Sequence, residues 1–239
     1  MSLAPQDNTR SAASTFSALA AIPPRDTSAL VRTVRDRLRH AIVLEEIPAG
    51  VRLNQVQVAE QLGVSRMPVR AATADLVSEG LLEPLASGGV AVRKLSKRGV
   101  QAAYEVREAL EAQAARDVAL AQPACGLDEI FEILRRHDAL GGSNDTTALL
   151  ELDRAFHGAI LQATDNPYFR RAMVPMRAVV ERAMVGMLRT VPEMFDLAWR
   201  QHHDIVEALA AGNADTAERL TREHIRESAR RFAESNPDD

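Results

Sequence analysis

The sequence predicts a mainly α-helical protein in two parts: a small N-terminal module of three helices and a β-hairpin, then a C-terminal antiparallel six-helix bundle. Three observations predict it. Ala, Leu, Arg and Glu, which lose little rotamer freedom in a helix, dominate a composition with only 4% aromatic residues and few clustered β-branched ones. Charge is divided along the chain: residues 27–97 carry 10 basic and 7 acidic side chains, a balance of +3, and residues 98–239 carry 17 and 24, a balance of −7. At about 100 to 200 residues per domain, 239 residues hold two cores.

The same composition excludes several classes. With 46% hydrophobic and 26% charged residues, the chain belongs with globular rather than disordered proteins, and no apolar run nears the about 18 residues of a membrane span. A lone cysteine, Cys125, leaves no internal disulfide. The opening stretch has no basic segment leading into an apolar one. It therefore does not read as a secretory signal, and the expected compartment is the cytoplasm, with no membrane partner.

The elements follow in order. Residues 1–26, rich in Ser, Ala, Thr and Pro and without a sustained period, read as a mobile, disordered tail. Leu30, Val34, Leu38 and Ala41/Ile42 then recur at helical spacing, with Thr27 or Ser28 as cap and Pro48-Ala49-Gly50 as stop. Asn54 caps a second, short helix that Gly63 ends. Ser65 caps a third, with Val69, Ala72, Leu76 and Val77 on one face, that Gly80 ends. Residues 81–94 alternate around Ser87-Gly88-Gly89 as a hairpin, and Pro84 confines the first strand to an edge. Beyond Ser96, helical periods at about 97–121, 127–140, 146–163, 167–189, 194–211 and 214–234 are separated by short loops, with Pro175 expected to kink the fourth. The expected domains are 27–95 and 96–235.

Helix, helix, turn, helix, hairpin is the order of a winged helix-turn-helix, a DNA-binding module; a generic three-helix module is the alternative. The segment Val64-Ser65-Arg66-Met67-Pro68-Val69-Arg70 favours the first. Ser65 stands at the helix start and Pro68 in its first turn, where the missing N–H costs nothing. Arg66 and Arg70, four apart, share a face. A helix N-terminus favours phosphate, and two guanidinium groups beside it can pair with guanine edges or the DNA backbone.

This segment, with Leu76-Val77-Ser78-Glu79-Gly80-Leu81-Leu82 and Gly88-Gly89-Val90-Ala91-Val92, resembles the winged-helix domain of the GntR family of bacterial transcription regulators. The family's usual continuation after the second arginine is Glu-Ala-Leu, where this chain has Ala71-Ala72-Thr73, and Met67 replaces the commoner threonine. Where relatives carry a further arginine early in the second helix, this chain has Gln55, Val56 and Gln57. The resemblance implies a DNA-contacting set of Ser65, Arg66, Pro68, Arg70, Gln55, Gln57 and, in the wing, Gly88 and Gly89.

A second constellation lies in the acidic part. Asp153 and His157, one helical turn apart, flank the apolar stripe Leu149, Leu152, Phe156 and Ile160; His202 shares a face with Ile205, Val206 and Leu209, and His224 with Ala217, Leu220 and Ser228. Three imidazoles and a carboxylate aimed inward from three helices suit a divalent ion, zinc first and nickel or manganese as alternatives, with positions left for a ligand. A hydrogen-bonded polar core is the competing reading. His203, about 100° around the helix from His202, faces away; His40, His137 and Cys125 read as structural.

The spacing Asp-x-x-x-His, then His-x-x-Ile-x-x-Ala-Leu, then a further His resembles the effector-binding domain of the FadR-type branch of the GntR family. Its first helix is matched by Ala103-Tyr104-Glu105-Val106-Arg107-Glu108-Ala109-Leu110-Glu111, and six helices suggest the shorter, VanR-like subgroup. Arg107 is the expected effector-binding residue, pairing with a ligand carboxylate, or else it pairs with Glu111 or Glu108. The expected function is a ligand-responsive transcription regulator, a repressor among the outcomes. Its homodimer binds an operator in double-stranded DNA, and its bundle binds a divalent metal and a small carboxylate metabolite. A helical-bundle metalloenzyme is the rival, and the absence of a repeated Glu-x-x-His counts against a di-metal version of it.

Overall fold

The computed structural model of the chain describes residues 27–121, 126–142, 145–190 and 193–235. The expectations for the tail, residues 1–26, and for Cys125 lie outside them. The protein is mainly helical, as the composition requires, with a small three-stranded sheet.

The N-terminal module contains α1 (Thr27–Val43), β1 (Arg52–Leu53), α2 (Gln55–Leu62), α3 (Arg66–Ser78), β2 (Leu82–Pro84) and β3 (Val90–Val92). The hairpin β2–β3 has the expected place, and Pro84 lies at the end of an edge strand where no ladder N–H is required of it. Strand β1 was not foreseen: it pairs antiparallel with β3, Arg52 opposite Ala91 and Leu53 opposite Val90. Two residues are too few for alternation to show in sequence. Asn54 caps α2, its Oδ1 accepting from Val56 N at 3.0 Å and Gln57 N at 3.4 Å, and Gly63 ends the helix in the left-handed region at φ 66°. Ser65 occupies the cap position of α3 with extended backbone, but its side chain makes no capping hydrogen bond, contrary to expectation.

The bundle consists of α4 (Lys97–Leu120), α5 (Leu127–Ala139), α6 (Thr146–Ala163), α7 (Pro167–Thr190), α8 (Glu193–Ala210) and α9 (Ala214–Ser235), within a residue or two of the periodic segments. Helix α7 continues through Pro175. Helix α4 is the axis: it packs against α6, α7, α8 and, over much of its length, α9. Ala112, Ala114, Ala115 and Ala119 on α4 are fully buried, and such small side chains let neighbouring backbones come close. Among the described residues no helix is long and apolar enough to cross a membrane.

One apolar core runs through both modules, from Val34 and Leu38 on α1 to Phe232 on α9. Where they meet, α7 supplies the polar contacts. Glu181 Oε2 accepts from Arg39 Nη2 of α1 at 2.5 Å, Arg182 Nη1 donates to the Arg93 carbonyl after β3 at 2.6 Å, and Arg189 reaches Glu45 and the Leu44 carbonyl.

Leu76, fully buried on α3, tests this packing. Leu76→Ala is expected to lower unfolding free energy by about 2–5 kcal/mol through lost burial plus a cavity. Leu120→Ala, at a site 60% exposed, should change it by less than about 0.5 kcal/mol in the same urea titration.

Candidate functional site

Helix α3 divides its residues by burial. Pro68, Val69, Ala72, Thr73 and Leu76 face the core, while Arg66, Met67 and Arg70 are exposed, Met67 by 69%. The start of the helix therefore presents two guanidinium groups and a flexible thioether to solvent. Pro68 is buried, so it shapes the helix start rather than offering a surface. Gln55 Nε2 donates to Thr73 Oγ1 at 2.9 Å, which in turn donates to the Arg70 carbonyl at 2.9 Å; this residue braces α2 against α3, and Gln57 is the exposed one. At the wing tip, Gly88 and Gly89 both have positive φ, 81° and 82°, and Arg52 Nη2 donates to the Gly88 carbonyl at 2.9 Å. Arg52, which no sequence signal singled out, thus pins the wing turn to β1.

In the bundle, Asp153 and His157 from α6, His202 from α8 and His224 from α9 converge, all buried. One ring nitrogen from each histidine lies within 4.8 Å of the others. His202 Nε2 and His224 Nε2 are 3.2 Å apart, and Asp153 Oδ1 stands 3.6 Å from His157 Nε2 and 3.9 Å from His202 Nε2. Nitrogen ligands at about 2.1 Å from one ion, at angles of about 90–110°, sit about 3.0–3.4 Å apart, so the His202–His224 spacing suits a shared cation. His157 Nε2 is buried without a hydrogen-bond partner, as a nitrogen awaiting a cation would be. The residues present therefore fit a divalent metal.

The outer contacts orient the rings. His224 Nδ1 meets Gln201 Oε1 at 2.9 Å, and with the proton on Nδ1 the ring keeps its Nε2 lone pair for the centre. His157 Nδ1 lies 2.7 Å from Glu111 Oε2, an ion-pair contact without hydrogen-bond alignment, and Arg107 Nε donates to Glu111 Oε1 at 2.9 Å. Arg107 thus takes the Glu111 pairing that the sequence left open, while its guanidinium also lies 5.5 Å over the Tyr104 ring. Arg107, Glu111, Asp153 and His157 line one side of a cavity of about 40 Å³. His202 Nδ1 has no hydrogen-bond partner among the described residues; its ring stacks on Phe156 with centroids 3.9 Å apart.

Electrostatics follow the packing. Burial, joined by the neighbouring His157 and Arg107, pushes His224 down to about 3, and burial with His224 and His157 holds His202 well below 6.5. Burial also opposes charge on His157, but Glu111 and Asp153 outweigh it and raise its pKa. For Glu111, burial would raise the pKa, yet Arg107 and His157 hold it at about 2.

Comparison with known proteins settles the family. Residues 30–92 match the bacterial regulatory proteins of the gntR family, and residues 102–227, more than half the chain, match the FCD domain. The chain belongs to the GntR family. This GntR-family chain is a DNA-binding transcription regulator with an FCD effector-binding domain. It is 28% identical over 197 residues to a probable D-xylose utilization operon transcriptional repressor of Paenarthrobacter nicotinovorans, covering 81% of this chain and 86% of that one. It is 29% identical over 206 residues to the HTH-type transcriptional repressor RspR of Escherichia coli (strain K12), covering 84% and 89%. The solved structure of E. coli McbR/YncC superposes with a TM-score of 0.74 at 21% identity, covering 86% of this chain and 97% of that one, a likeness of fold. Family and relatives are regulators, not enzymes, and the metalloenzyme reading falls.

The structure of this GntR-family protein thus brings Asp153, His157, His202 and His224 together, and places Arg107 beside them through Glu111. His203 is 46% exposed, 3.2 Å from Asp138, facing away as its helical position requires, and His137 stacks on Trp199. Sequence reasoning missed Gln201 and the role of Glu111 toward His157. Gln201 directly precedes a histidine on the same helix, a signal too common to act on. Glu111 was seen only as the i+4 neighbour of Arg107.

These shifts give a sign for pH dependence. His202 and His224 have folded pKa values below the unfolded 6.5, so the unfolded chain binds their protons first and stability falls as pH drops through 6.5 toward about 3. His157, raised, works the other way only above 6.5, up to its folded pKa, and below 6.5 its contribution is complete and no longer changes with pH. Metal-free protein is expected to show a lower urea midpoint at pH 5.0 than at pH 7.5, with the difference reduced in His224→Asn. A midpoint unchanged or higher at pH 5.0 would contradict the assignment.

Proposed function

We propose that this regulator is switched by a small carboxylate metabolite held on a divalent metal in the bundle. Asp153, His157, His202 and His224 hold the ion, zinc first among the candidates and nickel or manganese next, all compatible with nitrogen and oxygen donors. The ion supplies a positive centre with coordination positions open to ligand oxygens. Arg107, fixed by Glu111 and lining the same cavity, adds a second positive group to receive the carboxylate. The observation that carries the reading is the convergence of four donor side chains on one buried point beside that cavity.

At the other end, Arg66 and Arg70 read the operator from the major groove, with Ser65, Gln57 and the wing glycines Gly88 and Gly89 near the backbone; Gln55 and Pro68 position the helix. One such module covers too little DNA for tight specific binding. The regulator therefore acts as a homodimer on a pseudo-palindrome in the cytoplasm, and ligand binding alters the spacing of the two winged helices. Repression is the outcome favoured by the two repressors among its relatives. Because one of them is named for a D-xylose operon, sugar acids such as D-xylonate belong in a ligand screen.

On an operator selected from random-sequence DNA, Arg66→Ala and Arg70→Ala are each expected to weaken specific binding by about 1–3 kcal/mol in fluorescence anisotropy with the fold intact. Alanine at Asp153, His157, His202 or His224 should lower metal content by elemental analysis, while His203→Ala should not. Unchanged operator affinity in both arginine variants, or metal retained in all four ligand variants, would contradict the respective half.

A further inference from the structure

The cavity beside the histidines opens outward between α6 and α7. At that end it is lined by Arg154, Arg177 and Glu181, and the first two also line a larger cleft of about 200 Å³ that includes Arg35 and Arg39 of α1. Arg154 and Glu181 further border a space of about 490 Å³ between α1 and α6. The room for a ligand beyond a few atoms thus lies at the boundary with the DNA-binding module. Any molecule anchored at the metal must grow toward Arg154 and Arg177.

The charges around that exit do not cancel. Arg35 is paired with Asp36, and Arg39 with Glu79 and Glu181. Arg154 and Arg177 make no hydrogen bond or ion pair among the described residues. Burial, with Arg154, Arg39 and Arg170 nearby, lowers the pKa of Arg177, although the Glu181 carboxylate acts in the opposite direction. An acceptor lines the same cavity: Glu181 Oε1 is buried and has no hydrogen-bond partner among the described residues, its other oxygen being held by Arg39. Two guanidinium groups and one carboxylate acceptor complement an oxyanion that keeps an O–H.

We propose that Arg154, Arg177 and Glu181 form a second anion subsite, at the boundary between the modules, that takes a phosphate group or a hydroxyl-bearing carboxylate. It extends the metal-and-carboxylate reading above by giving the ligand a second charged end. The same chemistry arises in two ways: the far end of the molecule held at the metal, or a free phosphate ion.

The test uses full-length protein with and without metal. Inorganic phosphate, titrated calorimetrically, is expected to bind in both states, more tightly than sulfate, which at neutral pH has no proton for Glu181. Binding should weaken at least about tenfold in Arg154→Gln and in Arg177→Gln, and recover in part in Arg177→Lys. Arg154 is exposed, so its replacement leaves the fold to support the measurement. To separate the sources, tartrate is compared with threonate, the same chain with one carboxylate, on metal-loaded protein. A preference for tartrate that disappears in Arg154→Gln assigns the subsite to the metal-held ligand; no preference, with phosphate still dependent on the arginines, assigns it to a free phosphate. Phosphate binding that is absent, indifferent to both arginines, or lost when metal is removed overturns the subsite. That last result would place the anion on the metal and leave the metal reading standing, whereas failure of the metal reading alone leaves phosphate binding intact.

Discussion

The ion pair of Arg107 and Glu111, one turn apart on α4, is the constraint on which the bundle interior depends. Both side chains are almost wholly buried, and a single unpaired charge at that depth would cost several kcal/mol. Pairing within one helix fixes both rotamers without help from a loop. Glu111 then has an oxygen left over, and it meets His157 Nδ1, turning that ring so that Nε2 faces Asp153, His202 and His224. Burial holds the pKa values of His202 and His224 down, so both rings stay neutral, while Glu111 and Asp153 make the surroundings of His157 favourable to positive charge. That is the donor character a divalent cation requires, since histidine coordinates through a deprotonated nitrogen.

Helix α7 connects this centre to the rest of the molecule. One face carries Met173, Val180 and Met184 along the cavity wall, and Glu181 beside them extends to Arg39 on α1. A ligand that changes the charge or spacing around Glu181 acts on a contact shared with the DNA-binding module, without any relay of intermediate residues. Arg182 and Arg189, holding backbone carbonyls and an acid of that module, add to the contacts this helix makes across the boundary.

Much of this was legible in the sequence for definite reasons. Helical periods, Gly63 and Asn54 located α2, and the four inward donors shared faces with obvious apolar stripes, so their convergence followed from helix geometry. Strand β1 was not legible because two residues carry no pattern. The failure of Ser65 to cap and the burial of Pro68 depend on how α3 seats against α1, which spacing along one helix does not encode. Gln55 has the same lesson: its bond to Thr73 exists only once α2 and α3 are packed. Arg154 and Arg177 escaped attention because an arginine on an amphipathic helix is ordinarily a solvated face, and only the unpaired state of both at one cavity mouth distinguishes them.

Ligand control of this regulator, as proposed, depends on a cation at the meeting point of α6, α8 and α9. Anomalous diffraction at the zinc, nickel and manganese edges, from crystals of protein purified without chelators, tests this most directly. The predicted result is one peak per chain about 2.1 Å from His157 Nε2, His202 Nε2 and His224 Nε2, with Asp153 Oδ1 as the oxygen ligand. A histidine cluster closed by its own hydrogen bonds, with no peak there even after dialysis against each metal, would contradict it.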